Sequence, residues 1–307
     1  MTGTRKTPTA PGAGSTGAAG PGAGSSGTAS PRTATSTGAP TSRGYRVERM
    51  SRARLALAAG QESARHRHIM FALIEADLTV PRRLIRAHQE TTGERLSLTA
   101  YVVTCVAAAL AEFPALNAFR RGRSLVFLDE VIVEVLLERT IDGQPAVGYL
   151  PIRNADTKSL RAVHDEIRAG QASRPETIAG QRWLERIPTG LARPLMWYMR
   201  RSPRWALRLG VAGVNNLGMG TSVAGWGLAP GAGTLGVTIG GITPRPGLVA
   251  DALVRQEIAH LTLAFDHDVI DGAPAARFTS RLAELLAAGE AIRDLTADPE
   301  AAGSPGA

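Results

Sequence analysis

Residues 263–273 read LAFDHDVIDGA, and the interpretation of the whole chain depends on this stretch. An apolar run ends at Asp266, His267 follows it, and Asp271 and Gly272 come four and five residues after the histidine. The pattern predicts a strand that enters a tight turn, which glycine tolerates, and then a helix. An imidazole with an ordinary pKa of about 6.5 accepts a proton near neutral pH. His267 is therefore a candidate general base, with a purely structural histidine as the alternative. Asp271 can orient the loop or pair with a nearby arginine.

Strand and helix patterns alternate along the chain before this stretch. Ser97 is a favourable N-cap for one long helix, and Pro114 limits where that helix ends. Strands are predicted at 68–77, within 124–137, and at 146–152, 235–242 and 260–265. Helices are predicted at 46–61, 81–92, 98–112, 159–172 and 273–295. Strands mixed with helices in this way predict an α/β or α+β sandwich.

The two ends of the chain differ in composition from its middle. Residues 1–44 are almost entirely Gly, Ala, Pro, Ser and Thr, and residues 296–307 are similar. Such segments bury too little apolar surface to offset their ordering entropy, so both are predicted to be disordered. One folded domain is expected at 45–295, and a tether or docking peptide is the alternative role of 1–44. Half of the net charge of +8 lies in 1–44, so the weakly basic domain does not predict nucleic-acid binding.

Several other classes of protein are excluded by composition. A single cysteine, Cys105, permits neither an internal disulfide nor a cysteine-based zinc site, and it is expected to be inert core. His66 and His68 alternate, but no carboxylate or cysteine pattern accompanies them, so no metal site is predicted. The sequence has no run of about 18 apolar residues and no secretory signal pattern. We therefore expect no membrane span and a cytoplasmic location.

Residues 182–208 have an unusual composition, with seven arginines and three of the four tryptophans of the chain. One interpretation is an amphipathic helix pair, with its aromatic side chains packed on the domain and its arginines in water. Contact with a phosphate-bearing ligand or with a membrane surface is the other interpretation, and membrane contact is not favoured.

The motifs together resemble one family. His267-x-x-x-Asp271-Gly272, followed by Ala-x-x-Ala-Arg-Phe, resembles the signature of the dihydrolipoamide acyltransferases, the catalytic domains of 2-oxoacid dehydrogenase complexes. Three further motifs occur in the expected order: FPALN at 113–117, LPIRNAD at 150–156 and NLG at 216–218. Chloramphenicol acetyltransferase and the condensation domains carry a doubled histidine, whereas Asp266 precedes His267 here, which favours the dihydrolipoamide acyltransferases.

The resemblance implies a fold and a mechanism. The fold would be α/β, a chloramphenicol-acetyltransferase-like two-layer sandwich with a mixed sheet. Family members form trimers with each active site between subunits, and coenzyme A enters by a channel. His267 would remove the proton from the thiol of coenzyme A or dihydrolipoamide, and the thiolate would attack a thioester. Asp271 would hold the histidine's loop, and lipoyl-bearing or other dehydrogenase-complex subunits are the implied partners.

Three departures from the family pattern accompany the resemblance. The family's hydroxyl donor to the oxyanion, just before Asn-Leu-Gly, is replaced by Asn215, whose amide N–H can also donate; Thr221 and Ser222 are nearby alternatives. The arginine that usually follows the histidine is replaced by Asp268. No lipoyl or subunit-binding domain precedes the domain, so a free-standing catalytic domain is expected. Two functions stay open: an acyltransferase, or a trimeric scaffold or regulator that binds ligand without turnover.

Overall fold

The computed structural model describes residues 67–141, 144–172, 202–218, 223–229 and 233–297, with the isolated positions 58, 191, 194, 195, 197–199 and 231. The strands are β1 Ile69–Asp77, β2 Ala118–Arg121, β3 Ser124–Phe127, β4 Val133–Ile141, β5 Gln144–Ile152, β6 Ala212–Asn216, β7 Leu235–Val249 and β8 Ala252–Asp266. The helices are α1 Thr79–Thr92, α2 Leu98–Glu112, α3 Leu160–Ala172, α4 Pro203–Leu209, α5 Gly272–Ala288 and α6 Glu290–Ala297.

Six strands form one mixed sheet in the order β1-β8-β7-β6-β4-β5. The β4–β6 and β6–β7 pairs are parallel, and the other neighbours are antiparallel. Strands β2 and β3 form a separate hairpin. Helices α1, α2, α3, α5 and α6 contact one another, and α1, α2, α3, α4 and α5 also contact strands of the sheet. The described residues therefore form a helical layer on a mixed sheet, and the predicted α/β sandwich is confirmed.

Helix α2 lies at the centre of the core. Ten of its residues are buried, because an apolar sequence on nearly every side suits a helix surrounded by protein. The Tyr101 hydroxyl lies 3.0 and 2.9 Å from the carbonyl oxygens of Leu285 and Leu286, which joins α2 to the end of α5. Burial raises the pKa of the Cys105 thiol to about 12. This supports the prediction that the cysteine is an inert core residue.

The predicted helix boundaries agree with the structure where local sequence signals determine them. The predicted limits of α2 are confirmed, and the Ser97 hydroxyl accepts a hydrogen bond from the Ala100 N–H at 3.3 Å. Helix α1 begins at Thr79, two residues before the predicted proline start. The single helix predicted at 273–295 is wrong, because Gly289 adopts a left-handed backbone with φ 73° and separates α5 from α6. Helix α6 extends to Ala297.

The strands differ more from the predictions. The segment 124–137 holds two elements, β3 and the first part of β4, and strands β2 and β6 were not predicted. Strands β7 and β8 are each 15 residues long, far beyond the predicted 235–242 and 260–265. Pro244 and Pro246 lie in the distal part of β7, where the hairpin pairs only with itself. Proline is tolerated there because one edge of each hairpin strand has no neighbour.

Several predictions fall outside the described residues. These are the 1–44 tail, the helix at 46–61 apart from helical Ala58, residues 298–307, and most of 182–208. The C-terminal part of 182–208 is described and lies in α4. Ala206 is buried there, and the Arg208 guanidinium lies 5.4 Å from the centre of the Trp205 ring. No helix among the described residues is long and apolar enough to cross a membrane.

Candidate active site

His267 occupies the first position after β8, at the start of the turn that leads to α5. Its main-chain N–H donates to the His68 carbonyl oxygen at 2.7 Å, which fixes the turn against the residue before β1. The imidazole is 47% exposed, and its Nδ1 lies 3.8 Å from Asp271 Oδ1. A half-exposed ring on a tethered backbone is accessible to a substrate, as a general base requires.

Asp266 and Arg67 form a buried ion pair beneath the turn. The Arg67 Nη2 atom lies 2.7 Å from Asp266 Oδ2, and Asp266 is 3% exposed. The other Asp266 oxygen accepts the main-chain N–H of Asp268 at 3.1 Å. Arg67 also donates to the Gly233 carbonyl at 2.7 Å. Both oxygens of a buried carboxylate are thus satisfied, and the backbone on either side of His267 is fixed.

Asp268 directly follows His267, and each oxygen of its carboxylate has a partner. Its Oδ1 lies 2.9 Å from His68 Nδ1, and its Oδ2 accepts from Arg120 Nη1 at 2.9 Å. The hydrogen bond with His68 lowers the pKa of the Asp268 carboxyl; burial opposes this effect, and Arg120 lowers the pKa further. His68 was predicted to be a solvated strand residue. Its ring is indeed exposed, but it also contacts the turn.

Asp271 lies at the N-cap position of α5, where its carbonyl accepts the Ala275 N–H at 3.1 Å. Its side chain is 87% exposed and makes no capping hydrogen bond. An arginine partner for Asp271 was one expectation. Among the described residues, arginines instead pair with Asp266 and Asp268, because those carboxylates face the β1 entry and the β2–β3 hairpin.

Asn215 lies on β6, two strands away from β8. Its neighbour Asn216 donates to the Thr99 hydroxyl at 2.9 Å, on the helical side of the sheet. Because side chains alternate along a strand, Asn215 lies on the opposite face, where it is half-buried. It pairs in register with Thr238 of β7, which pairs with Thr262 of β8. The alternative donors Thr221 and Ser222 lie outside the described residues.

A single chain does not bring Asn215 and His267 together. Asn215 is level with Thr262, and Asp266 at the end of β8 is four residues further along that strand. At about 3.4 Å per residue the separation along the strands is about 14 Å, and two strand spacings separate the groups by about 10 Å in the perpendicular direction. Both groups therefore cannot contact one reacting carbonyl in a single copy of the chain.

Among the residues that the structure describes, one cluster has the composition of a metal site, at Glu94, His164 and Asp165. Nδ1 of His164 accepts the Ser97 N–H at 3.0 Å, and the Glu94 carboxylate is bonded to the Arg161 guanidinium. The Arg161 hydrogen bond lowers the pKa of Glu94 to about 2, against the opposing effect of burial. The Arg161 guanidinium supplies at Glu94 the positive charge that a metal ion would otherwise provide. The absence of a metal cofactor stays a prediction.

Comparison with known proteins confirms the resemblance. Residues 211–293, which contain both Asn215 and His267, match the 2-oxoacid dehydrogenases acyltransferase (catalytic domain) family. A dihydrolipoamide acetyltransferase of Azotobacter vinelandii shares the fold, with a TM-score of 0.61, 21% identity, and 82% and 97% of the two chains covered. The cubic core of a pyruvate dehydrogenase complex gives a TM-score of 0.60 at 21% identity, covering 82% and 97%. The fold is that of these dihydrolipoamide acyltransferase catalytic cores.

Two curated relatives are similar in sequence. The chain is 26% identical over 203 residues to the lipoamide acyltransferase component of the branched-chain alpha-keto acid dehydrogenase complex of Bacillus subtilis, covering 64% of this chain and 41% of the relative. It is 29% identical over 198 residues to the dihydrolipoyllysine-residue acetyltransferase component of the pyruvate dehydrogenase complex of Acholeplasma laidlawii, covering 64% and 32%. The chain thus spans between a third and a half of these relatives.

Sequence reasoning missed Arg67 and Arg120, and it did not assign His68 to the site. The partners of these residues are Asp266 and Asp268, between 148 and about 200 positions away in the chain. Local patterns carry no signal at such separations. The charge pattern DHD around His267 was the one available hint, because two carboxylates close together in a turn favour nearby cations.

Proposed function

We propose that the chain is an acyltransferase domain that moves an acyl group between a thioester and a thiol or other small nucleophile. The observation that supports this most strongly is the family match at 211–293, since this single segment carries both the His267 turn and the Asn215 strand. The curated relatives are named as a lipoamide acyltransferase and a dihydrolipoyllysine acetyltransferase. Coenzyme A and a lipoyl group are the carriers that we propose for this chain.

In this proposal His267 is the general base. A free thiol has a pKa near 8.5 and is mostly protonated at neutral pH, so the imidazole accepts the thiol proton as the sulfur attacks the thioester carbonyl carbon. The carbonyl π electrons move to oxygen and form a tetrahedral oxyanion. When this collapses, the carbon–sulfur bond to the first carrier breaks, and the leaving thiolate takes the proton from the imidazolium. Asp271, whose main-chain carbonyl accepts the Ala275 N–H at the start of α5, holds the loop of the histidine and takes no part in proton transfer in this proposal.

The oxyanion requires a donor, which we assign to the Asn215 side-chain amide of a neighbouring copy. The separation of Asn215 from His267 within one chain supports this assignment. The A. vinelandii relative was studied for a serine, a histidine and an asparagine in its catalytic mechanism. An amide N–H replaces the family's hydroxyl here and supplies the same kind of hydrogen bond. A homotrimer with its sites between subunits is the assembly that we propose.

The proposed partners follow from the relatives. These are components of 2-oxoacid dehydrogenase complexes, and one solved neighbour is a cubic core. We therefore propose that lipoyl-bearing or other dehydrogenase-complex subunits are partners of this chain.

Release of free coenzyme A tests the function. Purified protein is given a panel of acyl-coenzyme A thioesters with dihydrolipoamide, simple amines or alcohols as acceptors, beside His267→Ala, and free coenzyme A is separated and quantified, because transfer to a thiol leaves the total number of thiols unchanged. Acceptor-dependent release that is lost in His267→Ala, while assembly is retained, supports the proposal. No release by a folded oligomer that still binds coenzyme A would contradict it. That result would favour the scaffold or regulator, which the replacement of the family's hydroxyl by Asn215 also favours.

Asn215→Ser provides the matched variant for this assay, because it installs the family's hydroxyl. If the wild-type protein is inactive and Asn215→Ser is active, the missing donor explains the inactivity. If both are active and only His267→Ala is inactive, the amide is a working donor.

A further inference from the structure

Asp268 connects three elements that are distant in sequence. One oxygen of its carboxylate contacts His68, before β1, and the other contacts Arg120, on β2, each at 2.9 Å. His68 also contacts the turn through its carbonyl oxygen, which accepts the His267 N–H at 2.7 Å. Arg120 is itself oriented by a 2.9 Å hydrogen bond from its Nε to the Gly122 carbonyl. The turn is therefore held from both sides of His267.

The charge balance at the turn has a direct consequence for the imidazole. Adjacent residues have Cα atoms about 3.8 Å apart, so the Asp268 carboxylate lies within about one Debye length, about 10 Å, of the His267 ring. An uncompensated carboxylate there would favour the protonated imidazole, which cannot act as a base. The Arg120 guanidinium bonded to that carboxylate opposes this effect.

The other charged groups of the described residues around His267 are few. Asp266 is neutralised by Arg67 in a buried pair. Asp271 lies 3.8 Å from the ring and is 87% exposed, so solvent screens it strongly. His68 contacts Asp268 and adds a positive charge only when protonated. The net charge of the Asp268–Arg120 pair can therefore be changed by a substitution at either residue.

We propose that Asp268 and Arg120 form a positioning and charge-compensating pair: the pair holds the turn that carries His267, and the Arg120 guanidinium cancels the effect of the Asp268 carboxylate on the imidazole. The inference rests on the proposed role of His267 as general base. It explains how this chain tolerates an acidic residue where the resembling family has an arginine. The positive charge beside the histidine is retained, but it comes from the β2–β3 hairpin instead of the turn.

The test compares two single variants with opposite expected effects. In Arg120→Gln the carboxylate stays without its cation, so the acid limb of the pH profile of kcat/KM moves to higher pH by about 0.5 unit. In Asp268→Asn the guanidinium stays alone, so the limb moves to lower pH by a similar amount. The double variant returns close to the wild-type position, and Arg120→Lys, which keeps the charge, stays close to it.

Arg281→Gln and Glu112→Gln are the matched controls, because this arginine and this carboxylate form an exposed ion pair outside the turn. Neither is expected to move the limb. Single-variant shifts in the same direction, or a lower kcat with an unmoved limb in both, would overturn the proposal and leave a purely structural role. Thermal unfolding and the oligomeric state confirm that each variant is folded.

A second measurement separates this inference from the proposed function. The NMR titration of ¹³C-labelled histidine, with the His267 signal assigned through His267→Gln, reports ring protonation without turnover. If the protein has no acyltransferase activity but the His267 titration midpoint moves in opposite directions in the two variants, the proposed function fails and the charge pairing stands. If activity is present and the midpoint does not move, the pairing fails alone.

Discussion

The turn at His267 and the end of β6 at Asn215 are held in place by different means. Side chains from distant parts of the chain fix the turn: Arg67 below it, with His68 and Arg120 beside it. Asn215 is positioned by the register of three neighbouring strands. The turn therefore depends on a few ion pairs, whereas the position of Asn215 depends on the sheet as a whole.

The sheet keeps Asn215 and His267 apart within one copy. In the proposed site the two groups therefore come from different copies. Substitutions at the turn should affect both the chemistry and local stability, whereas substitutions at Asn215 should affect the chemistry alone.

His267→Ala is expected to have the largest effect on activity. Removing a general base typically lowers the rate by about 10²–10⁴-fold, while the half-exposed ring contributes little to packing. The measurement is kcat for coenzyme A release, with Glu112→Gln as a control that keeps wild-type activity. A His267→Ala variant within a few-fold of wild type would remove the histidine from the mechanism.

Arg67→Ala is expected to destabilise the protein most, because it leaves the buried Asp266 carboxylate without its cation. Breaking a buried pair in this way costs about 3–5 kcal/mol. Urea unfolding measures the loss. The exposed Arg281–Glu112 pair provides the comparison, and Arg281→Ala should have a much smaller effect on the unfolding free energy. Equal effects in the two variants would show that the turn is not held by its buried pair.

Asn215→Ala is expected to lower kcat without lowering stability. Loss of one oxyanion donor costs about 10²–10³-fold in rate, and Asn215 is only half-buried on the face opposite the helices. Asn215→Ser should retain much of the rate through its hydroxyl. The measurement is kcat and the urea midpoint of both variants. Unchanged kcat in Asn215→Ala would assign the donor elsewhere.

Glu94 lies outside both regions and provides the smallest predicted effect. Its pKa falls from 4.5 to about 2 in the folded protein, chiefly through Arg161. A lowered pKa contributes stability that is complete above about pH 4.5 and is lost as the pH falls toward 2. The carboxylate is about a third exposed, so the contribution is about 1 kcal/mol or less. Urea unfolding of Glu94→Gln should therefore match wild type at pH 2 and fall below it at pH 7.

The sequence predicted the elements whose signals are local. Ser97 and Pro114 bound α2, and the limits of that helix were predicted. The length of β7 could not be predicted, because Pro244 and Pro246 resemble strand breakers until the unpaired edge of the hairpin is known. The HxxxDG pattern identified His267 and Asp271. Arg67 and Arg120 come from distant parts of the chain, and only the tertiary structure assigns them to the site. The cytoplasmic location stays a prediction.

Subunit mixing tests the central claim, that one site takes His267 from one copy and Asn215 from another. His267→Ala and Asn215→Ala are unfolded together in equal amounts, refolded and assayed for coenzyme A release beside each variant alone. If each site joins two copies, random assembly restores about a quarter of wild-type activity from two nearly inactive proteins. A mixture as inactive as its components, with a normal oligomeric state, would contradict the account.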